Sequence, residues 1–519
     1  MFSLLIPVAA VNATDVRSSW DFNKLSDITD ANKMRAIFGF FPNRSINDDY
    51  SFTVTIQDSK PYQLFSVLLS PCSQLKNIDV NYDACIEAVS YRKKGDAKWS
   101  DSAVSKISLG EPTTTIKKSG DLVVGKPVTS DPATLRPPGD RATIWDMPGA
   151  KHAKGTNYLV RATIRHPGAD NISYIDGGMQ RLFTMEILPI SFNATGSTIT
   201  QDQFKIEEFP EGYEYKLKLR MGVFVKALSG WFLGRIQDPT VDRNGPAGYL
   251  EVSGTPAKVP VGITDIINKS DIPQKYLAKC PEVGGCYWTA NTFGKAAFFP
   301  AIDKLDPQLL ADFEVVPGGV KTAATLTQWE LDSSRLSEVT TINSSAKLCT
   351  DKLYGPSARV FMGVVSSNAT LYQGTPPEWD DNSKSFSFKV ASPHLDEKGL
   401  PNKGFYTLYI PVEQANCRWG QDASLPQAQV QIINKDGSSS VTTAVATQEN
   451  GLLRFNITGF GYSSPTIRLK MGNEGFGSSP VVQQSTSGPV KKVITCVKGK
   501  LTKQVVSVNP KCPTGYKKK

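Results

Sequence analysis

Residues 427–471 read QAQVQIINKDGSSSVTTAVATQENGLLRFNITGFGYSSPTIRLKM, and apolar and polar side chains alternate along four runs of this stretch. The alternating members that share a face are Ala428, Val430 and Ile432, then Val441, Thr443 and Val445, then Leu453, Phe455 and Ile457, then Ile467, Leu469 and Met471. A period of two residues predicts strands with one wet and one buried surface. Turn residues at 435–437 and at Asn450-Gly451 predict hairpins between the runs. The apolar face needs a second layer, so the stretch predicts a β-sandwich.

The same alternation recurs upstream, whereas helical patterns are few. Further strands are predicted at 51–56, 63–69, 158–164, 182–188, 213–220 and 406–412. One helix is predicted at 306–314, where Asp306 would cap it and Pro307 suits the first turn. A second short helix is predicted at 272–279. The fold class is therefore mostly β, with antiparallel β-sandwiches in several domains, Ig-like in the last large one.

The length of 519 residues predicts about three domains, at roughly 150 residues each. We divide the chain into a possible signal-peptide remnant, an N-terminal β domain, a middle β or mixed domain with short helices, a β-sandwich domain, a Gly- and Ser-rich flexible linker and a cationic hairpin module. The ranges are 1–13, 14–200, 201–335, 336–472, 473–490 and 491–519. No apolar run approaches about 18 residues, so no transmembrane span is predicted.

The net charge of +9 belongs to one segment of the chain. Residues 491–519 contain nine lysines and no Arg, Asp or Glu, and the remaining 49 basic residues balance the 49 acidic ones. The sequence therefore predicts a neutral body carrying a cationic tag, rather than a basic body that seeks nucleic acid. The candidate polyanion-binding residues are Lys491, Lys492, Lys498, Lys500, Lys503, Lys511, Lys517, Lys518 and Lys519.

Eight cysteines, an even number, indicate disulfides and an oxidising compartment. The simplest pairing joins sequence neighbours, and spacing alone does not decide it. These neighbours are Cys72 and Cys85, Cys280 and Cys286, Cys349 and Cys417, and Cys496 and Cys512. Buried free thiols are the alternative. The chain has three histidines and no CxxC, which disfavours a zinc site, and no cofactor is predicted.

The stretch MFSLLIPVAAVNATD resembles a secretory signal that lacks a basic segment, with a small-residue cleavage site after Ala13. A buried first strand is the alternative. Near the other end, residues 493–497 and 502–508 are β-branched runs around a Lys-Gly-Lys turn. Cys496 and Cys512 bracket this hairpin, and a covalent staple suits so small a unit.

The segment ITCVKGKLTKQVVSVNPKCPTGYKKK resembles a C-terminal module of uncharacterised secreted actinobacterial proteins. Other stretches resemble the same group, among them ASPHLDEKG, GFYTLYIPVEQANCRWG, GFGYSSPTIRLKM, IWDMPGAKHAKGTNYLV and the frame around Cys72 and Cys85. The resemblance implies a secreted or cell-surface protein. It transfers no catalytic residue.

Candidate chemistry is sparse, since no GxSxG, HExxH, GxxxxGK or GxGxxG motif occurs. His166 and His394 are interpreted as loop residues rather than general bases. The acidic pairs Asp48-Asp49 and 378–381 could serve acid–base or calcium chemistry, but solvated turn acids are the favoured interpretation. Trp379 and Trp419 could stack on sugars, although core packing is the commoner fate of tryptophan.

Two hypotheses follow for function. The first is a secreted, envelope-associated binding or structural protein, attached to an anionic cell-envelope polymer through its lysines. Nucleic acid is disfavoured because the segment has no Arg and one aromatic residue, and a merely solubilising segment is the remaining alternative. The second hypothesis is a secreted hydrolase with glycans as its candidate substrate class, in which the β domains are accessory.

Overall fold

The architecture comes from a computed structural model, in which two runs of strands cover most of the chain. The described residues are 33–39, 49–56, 62–76, 79, 83–111, 121–124, 126–130, 136–166, 183–193, 196–200, 203–222, 224, 230–243, 248–274, 286–288, 297–300, 307–314, 316, 319–333, 345–355, 361–420, 427–434, 439–462, 466–471, 492–498, 501–507, 512 and 515–518.

The first seventeen strands lie before residue 265. They are β1 (Lys33–Phe38), β2 (Phe52–Ile56), β3 (Tyr62–Leu68), β4 (Cys85–Lys93), β5 (Ser100–Asp101), β6 (Ala103–Val104), β7 (Ser108–Leu109), β8 (Asp121–Val124), β9 (Thr143–Asp146), β10 (Asn157–His166), β11 (Phe183–Phe192), β12 (Thr198–Ile199), β13 (Phe204–Ile206), β14 (Tyr213–Arg220), β15 (Gly230–Gly234), β16 (Ile236–Asp242) and β17 (Tyr249–Thr264).

Among the described residues, three short helices interrupt the later strands. The strands are β18 (Ile267–Asn268), β19 (Cys286–Trp288), β20 (Ala297–Pro300), β21 (Val320–Ser333), β22 (Phe361–Ser367), β23 (Leu371–Tyr372), β24 (Glu378–Asp380), β25 (Ser385–Ala391), β26 (Lys403–Pro411), β27 (Gln427–Ile433), β28 (Ser439–Glu449), β29 (Leu452–Gly461), β30 (Thr466–Met471), β31 (Lys492–Lys498), β32 (Leu501–Ser507) and β33 (Lys517–Lys518). The helices are α1 (Pro307–Glu314), α2 (Ser345–Tyr354) and α3 (Val412–Trp419), with 3₁₀ turns at Cys72–Gln74 and Lys269–Asp271.

One long central sheet organises the body. Its strands lie in the order β8, β2, β3, β10, β11, β21, β15, β22, β26, β29, β28. All neighbours in this sheet are antiparallel except β15 and β22, which run parallel. The fold is thus mostly antiparallel but mixed, which refines the predicted fold class.

Two outer sheets cover opposite faces of the central sheet. The first outer sheet has the order β5, β4, β14, β17, β16, and the second has the order β24, β25, β30, β27, β28. Strand β28 pairs with β27 in its first part and with β29 in its last part, so it crosses between layers. Each pair of layers encloses one hydrophobic core.

The middle of the central sheet separates the two cores. On β15, Phe232 packs into the first core, while its neighbour Trp231 packs into the second. On β26, Tyr409 packs into the first core and Leu408 into the second. Successive side chains point to opposite faces of a strand, so these strands are buried on both sides and read as continuous apolar runs.

The close pairing of β15 with β22 depends on Gly363. A Cβ at this position would lie 2.3 Å from the carbonyl oxygen of Tyr409 and 2.4 Å from a ring carbon of Trp231. No side chain fits such a gap, so glycine permits the large indole ring to pack directly on the neighbouring backbone. The Trp231 side chain is 1% exposed.

The strands predicted from residues 427–471 are confirmed, with one difference in their order. The two predicted hairpins join β27 to β28 and β28 to β29. Strand β30 does not continue this meander, because it lies between β27 and β25. The six strands predicted upstream and the helix at 307–314 are also present. Most of the second predicted helix, 272–279, lies outside the described residues.

Strand pairing crosses two of the predicted domain boundaries. Strand β4 pairs with β14 across residue 200, and β15 pairs with β22 across residue 335. The segments on either side of each boundary therefore share sheets and core. The division into domains stays a prediction, and residues 1–13 and 473–490 lie outside the described part of the chain.

Candidate functional sites

The lysine-rich segment folds as a three-stranded antiparallel unit, here called the lysine module (residues 492–518). The predicted hairpin is confirmed, with Lys492 opposite Ser507 and Lys498 opposite Leu501. Strand β33, which was not predicted, pairs with the other edge of β31. The order is therefore β32, β31, β33.

The strand register of the lysine module brings lysines from distant positions together. Cys496 lies opposite Lys503 on one side and opposite Lys518 on the other. Adjacent strands are about 4.8 Å apart, so the backbones of Lys503 and Lys518 lie about 10 Å apart. Lys517 and Lys518 are exposed. The predicted residues Lys491, Lys500, Lys511 and Lys519 lie outside the described part.

Two of the four predicted cysteine pairs are confirmed as disulfides. Cys72 bonds to Cys85 at the start of β4, and Cys349 bonds to Cys417 between α2 and α3. Cys512 is also disulfide-bonded, while Cys280 and the side chains of Cys286 and Cys496 are outside the described part. No described cysteine is free.

Several charged side chains of the body form ion pairs with one another. Arg161 donates to Asp49 and, at 2.8 Å, to Glu186, all on or beside the central sheet. Arg235, which is 2% exposed, lies 3.3 Å from Glu330 and donates to the carbonyl oxygen of Thr370. In these pairs the opposite charges lie next to each other inside the fold of the body.

The acidic candidates are engaged in the same way. The interpretation of Asp49 as a solvated turn acid is wrong, because its side chain is fully buried and bound by Arg161; Asp48 lies outside the described residues. Asp380 accepts from the backbone N–H of Asn382, from the hydroxyl of Ser383 and, at 3.0 Å, from Arg468. Hydrogen bonds from Ser383 and Asn382 lower its pKa.

The two predicted loop histidines differ in position. His166 is the last residue of β10, paired opposite Phe65, so it ends a strand rather than lying in a loop. His394 is exposed, and its Nδ1 lies 2.7 Å from the carbonyl oxygen of Tyr462.

The two candidate sugar-stacking tryptophans pack at the edge of the second core. The rings of Trp379 and Trp419 meet edge to face at 5.4 Å, and both rings contact Phe386. Their Nε1 groups donate to Asp381 and to the carbonyl oxygen of Lys384. Core packing with satisfied N–H groups describes both residues better than a sugar platform.

A cluster that the sequence did not indicate lies where α2 and α3 meet. We call Arg243, Tyr354, Glu413 and Gln414 the α2–α3 polar cluster. The Tyr354 hydroxyl donates to the Glu413 carboxylate at 2.6 Å, and the guanidinium of Arg243 covers the ring of Phe361 at 4.3 Å. The side chain of Gln414 is fully buried. These residues are far apart in sequence and carry no motif, so only the disulfide partner of α2 could have suggested their proximity.

Burial dominates the electrostatics of this cluster. It raises the pKa of the Tyr354 hydroxyl, which the adjacent Glu413 carboxylate raises further, so the hydroxyl stays protonated and donates. Burial lowers the pKa of the Arg243 guanidinium, against the opposing influence of Tyr354 and Glu413. Arginine nevertheless remains charged at neutral pH.

Neither a protein-family model nor a curated protein sequence matches the chain. Within the described ranges, no group of three or more His, Cys, Asp or Glu side chains has the arrangement of a metal site. No helix among the described residues is both long and apolar enough to cross a bilayer.

Proposed function

We propose that this is a secreted, envelope-associated binding or structural protein, held at an anionic cell-envelope polymer by residues 491–519. The observation that carries the proposal is the segregation of charge. The whole net charge of +9 lies in this segment, and the body is neutral. The segment offers nine lysines without a single acidic partner.

The fold of the lysine module supports attachment rather than solubility alone. Its strands hold lysines from three separate sequence positions at neighbouring sites of one small sheet. Lysine is a strongly hydrated point charge, which suits a repeating polyanion without fixed geometry. A disulfide at Cys512 agrees with an oxidising, extracellular location.

Retention on cells tests this proposal. Deletion of residues 491–519 should release the protein from the envelope into the medium, whereas the intact chain stays cell-associated. A matched variant with the nine lysines replaced by glutamine keeps the segment length and should also be released. Equal retention of the intact chain, the deletion and the glutamine variant would refute attachment through charge.

Salt dependence gives a second readout on purified protein. Binding to a soluble polyphosphate or teichoic-acid-like polymer should weaken steeply as ionic strength rises, because the Debye length falls to about 8 Å near physiological salt and about 3 Å at 1 M. A body variant such as Lys258→Gln should bind as the parent does, since Lys258 already pairs with Glu211. Salt-independent binding would contradict an electrostatic mode.

The hydrolase alternative has no comparable support. It rested on carboxylate pairs, and two of these carboxylates, Asp49 and Asp380, are bound by Arg161 and Arg468.

A further inference from the structure

We propose that the lysine module binds its polyanion through one face of its sheet, here called the four-lysine face (Lys492, Lys498, Lys503 and Lys518), and that the ligand is a linear phosphate polymer of the envelope. This inference rests on the proposed function and deepens it, because it names the binding face and the class of polymer. The observation that carries it is the unequal division of the lysines between the two faces of the sheet.

The strand register decides which lysines share a face. Residues directly opposite each other in adjacent strands lie on the same face, and successive residues of one strand alternate between faces. Cys496 lies opposite Lys503 on one side and opposite Lys518 on the other. Lys492 and Lys498 are each an even number of residues from Cys496 on β31. The register therefore places all four lysines on one face.

The opposite face has a different composition. Val497 lies opposite Lys517, which is the only lysine that the described register places on this face. The positions of β31 and β32 on this face are uncharged, namely Val493, Thr495, Val497, Thr502, Gln504 and Val506. A ligand that needs several cations at once therefore meets them on the four-lysine face.

The spacing on the four-lysine face suits a polymer rather than a single small anion. The backbones of Lys503 and Lys518 lie about 10 Å apart across β31, and that of Lys498 lies about 8 Å from each of them. Positions this far apart are spread over the face instead of being gathered round one point. A small anion would meet one or two of these lysines, whereas a chain with a charge on each repeat meets several.

Phosphate is the anionic group that this composition favours. Lysine binds phosphate as a point charge, whereas arginine is the usual residue for planar, bidentate recognition, and the segment 491–519 has no arginine. A phosphate polymer also holds condensed counterions, and each lysine that binds it releases some of them. Each lysine contact therefore adds both to affinity and to the dependence of affinity on salt.

Two neighbouring residues provide a matched test of the face. Lys517 and Lys518 are both exposed on β33 and carry the same charge, but they lie on opposite faces. Binding of the full chain to poly(glycerol phosphate) is measured at about 0.1 M salt and above, where the Debye length is at most about 10 Å. A sheet with its side chains is about as thick, roughly 10 Å, so charges on opposite faces are largely screened from each other.

The variant Lys518→Gln should weaken this binding about twofold to fivefold. It should also lower the slope of log affinity against log salt by about 0.7, the value for one lost phosphate contact on a flexible strand. Lys517→Gln should change the affinity and the slope clearly less than Lys518→Gln does, because its charge lies on the other face.

Further variants separate the role of the face from a change in folding. Lys503→Gln, on the far edge of the sheet, should resemble Lys518→Gln, and Lys518→Arg should keep the affinity because it keeps the charge. Lys258→Gln in the body should bind as the parent does, since Lys258 pairs with Glu211. All four variants should keep the thermal midpoint of the parent.

Three outcomes would overturn the inference. Equal losses in Lys517→Gln and Lys518→Gln would show that the charge acts without regard to face. Displacement of the polymer by orthophosphate at the same phosphate concentration and ionic strength would show that a small anion suffices. Tighter binding of single-stranded DNA would overturn the choice of polymer. Failure of the parent itself to bind would instead refute the proposed function, so the two failures are distinguishable.

Discussion

The body and the lysine module use charge in opposite ways. In the body, cations meet anions within the fold, as Arg161 meets Asp49 and Glu186 and as Arg235 meets Glu330. In the module, Lys517 and Lys518 are exposed on β33, which β31 separates from Lys503 on β32, and the segment has no acidic residue at all. The contrast teaches that charges of the body are paired within the fold, whereas the segment 491–519 has no acidic residue of its own to pair with its lysines.

The largest effect is expected where the body's charge is buried. Arg161→Ala removes the guanidinium that binds Asp49, a side chain that is 0% exposed, and breaking such a pair costs about 3–5 kcal/mol. Urea unfolding measures this loss. The control Lys258→Ala removes one partner of an exposed pair, with side chains 61% and 83% exposed, and should change stability little. Equal losses of unfolding free energy in the two variants would mean that the buried ion pair stabilises the body no more than the exposed one does.

The disulfides give the next largest effect, and they rank by loop length. Cys349 and Cys417 are separated by 68 residues, and Cys72 and Cys85 by 13. Chain entropy then predicts losses of up to about 4 and about 3 kcal/mol for the two double serine variants. Urea unfolding of both variants checks this order. A larger loss for the Cys72 pair would show that native strain or residual structure outweighs loop closure.

A smaller, pH-dependent effect is expected at His152. Burial lowers the pKa of this imidazole, whose Nδ1 accepts from the backbone N–H of Lys154 while Nε2 lies 3.2 Å from the carbonyl oxygen of Asn157. The unfolded chain therefore binds a proton first, near pH 6.5, and stability falls as pH drops below that value, by at most about 1.4 kcal/mol per pH unit. Above about pH 6.5 the contribution of neutral His152 to stability is fully present.

The variant His152→Gln isolates this contribution. The free energy of unfolding of this variant should depend less on pH between about pH 6.5 and the lowered pKa of His152 in the folded chain. At pH 8 the variant should be less stable than the parent, because the substitution alters the turn. Thermal unfolding across that range compares the two slopes. An unchanged slope would mean that other groups produce the dependence.

The smallest effect on stability is expected in the lysine module itself. Lys517→Gln with Lys518→Gln removes two exposed charges that no acidic residue of the segment neutralises. The free energy of unfolding should stay unchanged, because surface substitutions away from packed features are nearly neutral, while binding to a polyanion weakens. A loss of stability with unaltered polyanion binding would mean that these two lysines stabilise the fold instead of binding the polyanion.

Local pattern was sufficient to identify twelve of the described strands and one helix. Period-two alternation located β27 to β30, and Pro307 with Leu309 and Leu310 located α1. Helices α2 and α3 were not predicted. Val412 follows directly on β26, so the apolar run of that strand concealed where the helix begins.

The sequence alone determined which residues alternate, where the cysteines can pair with near neighbours and where the net charge lies. The tertiary structure decided which strands are neighbours, since alternation specifies a face but never a partner. It therefore placed β15 beside β22, buried Asp49 against Arg161, and brought Arg243 to Tyr354 and Glu413. The pairing of distant strands depends on how the central sheet and the two outer sheets pack around two hydrophobic cores. Residues from all parts of the body contribute to those cores, so no local stretch of sequence specifies the pairing.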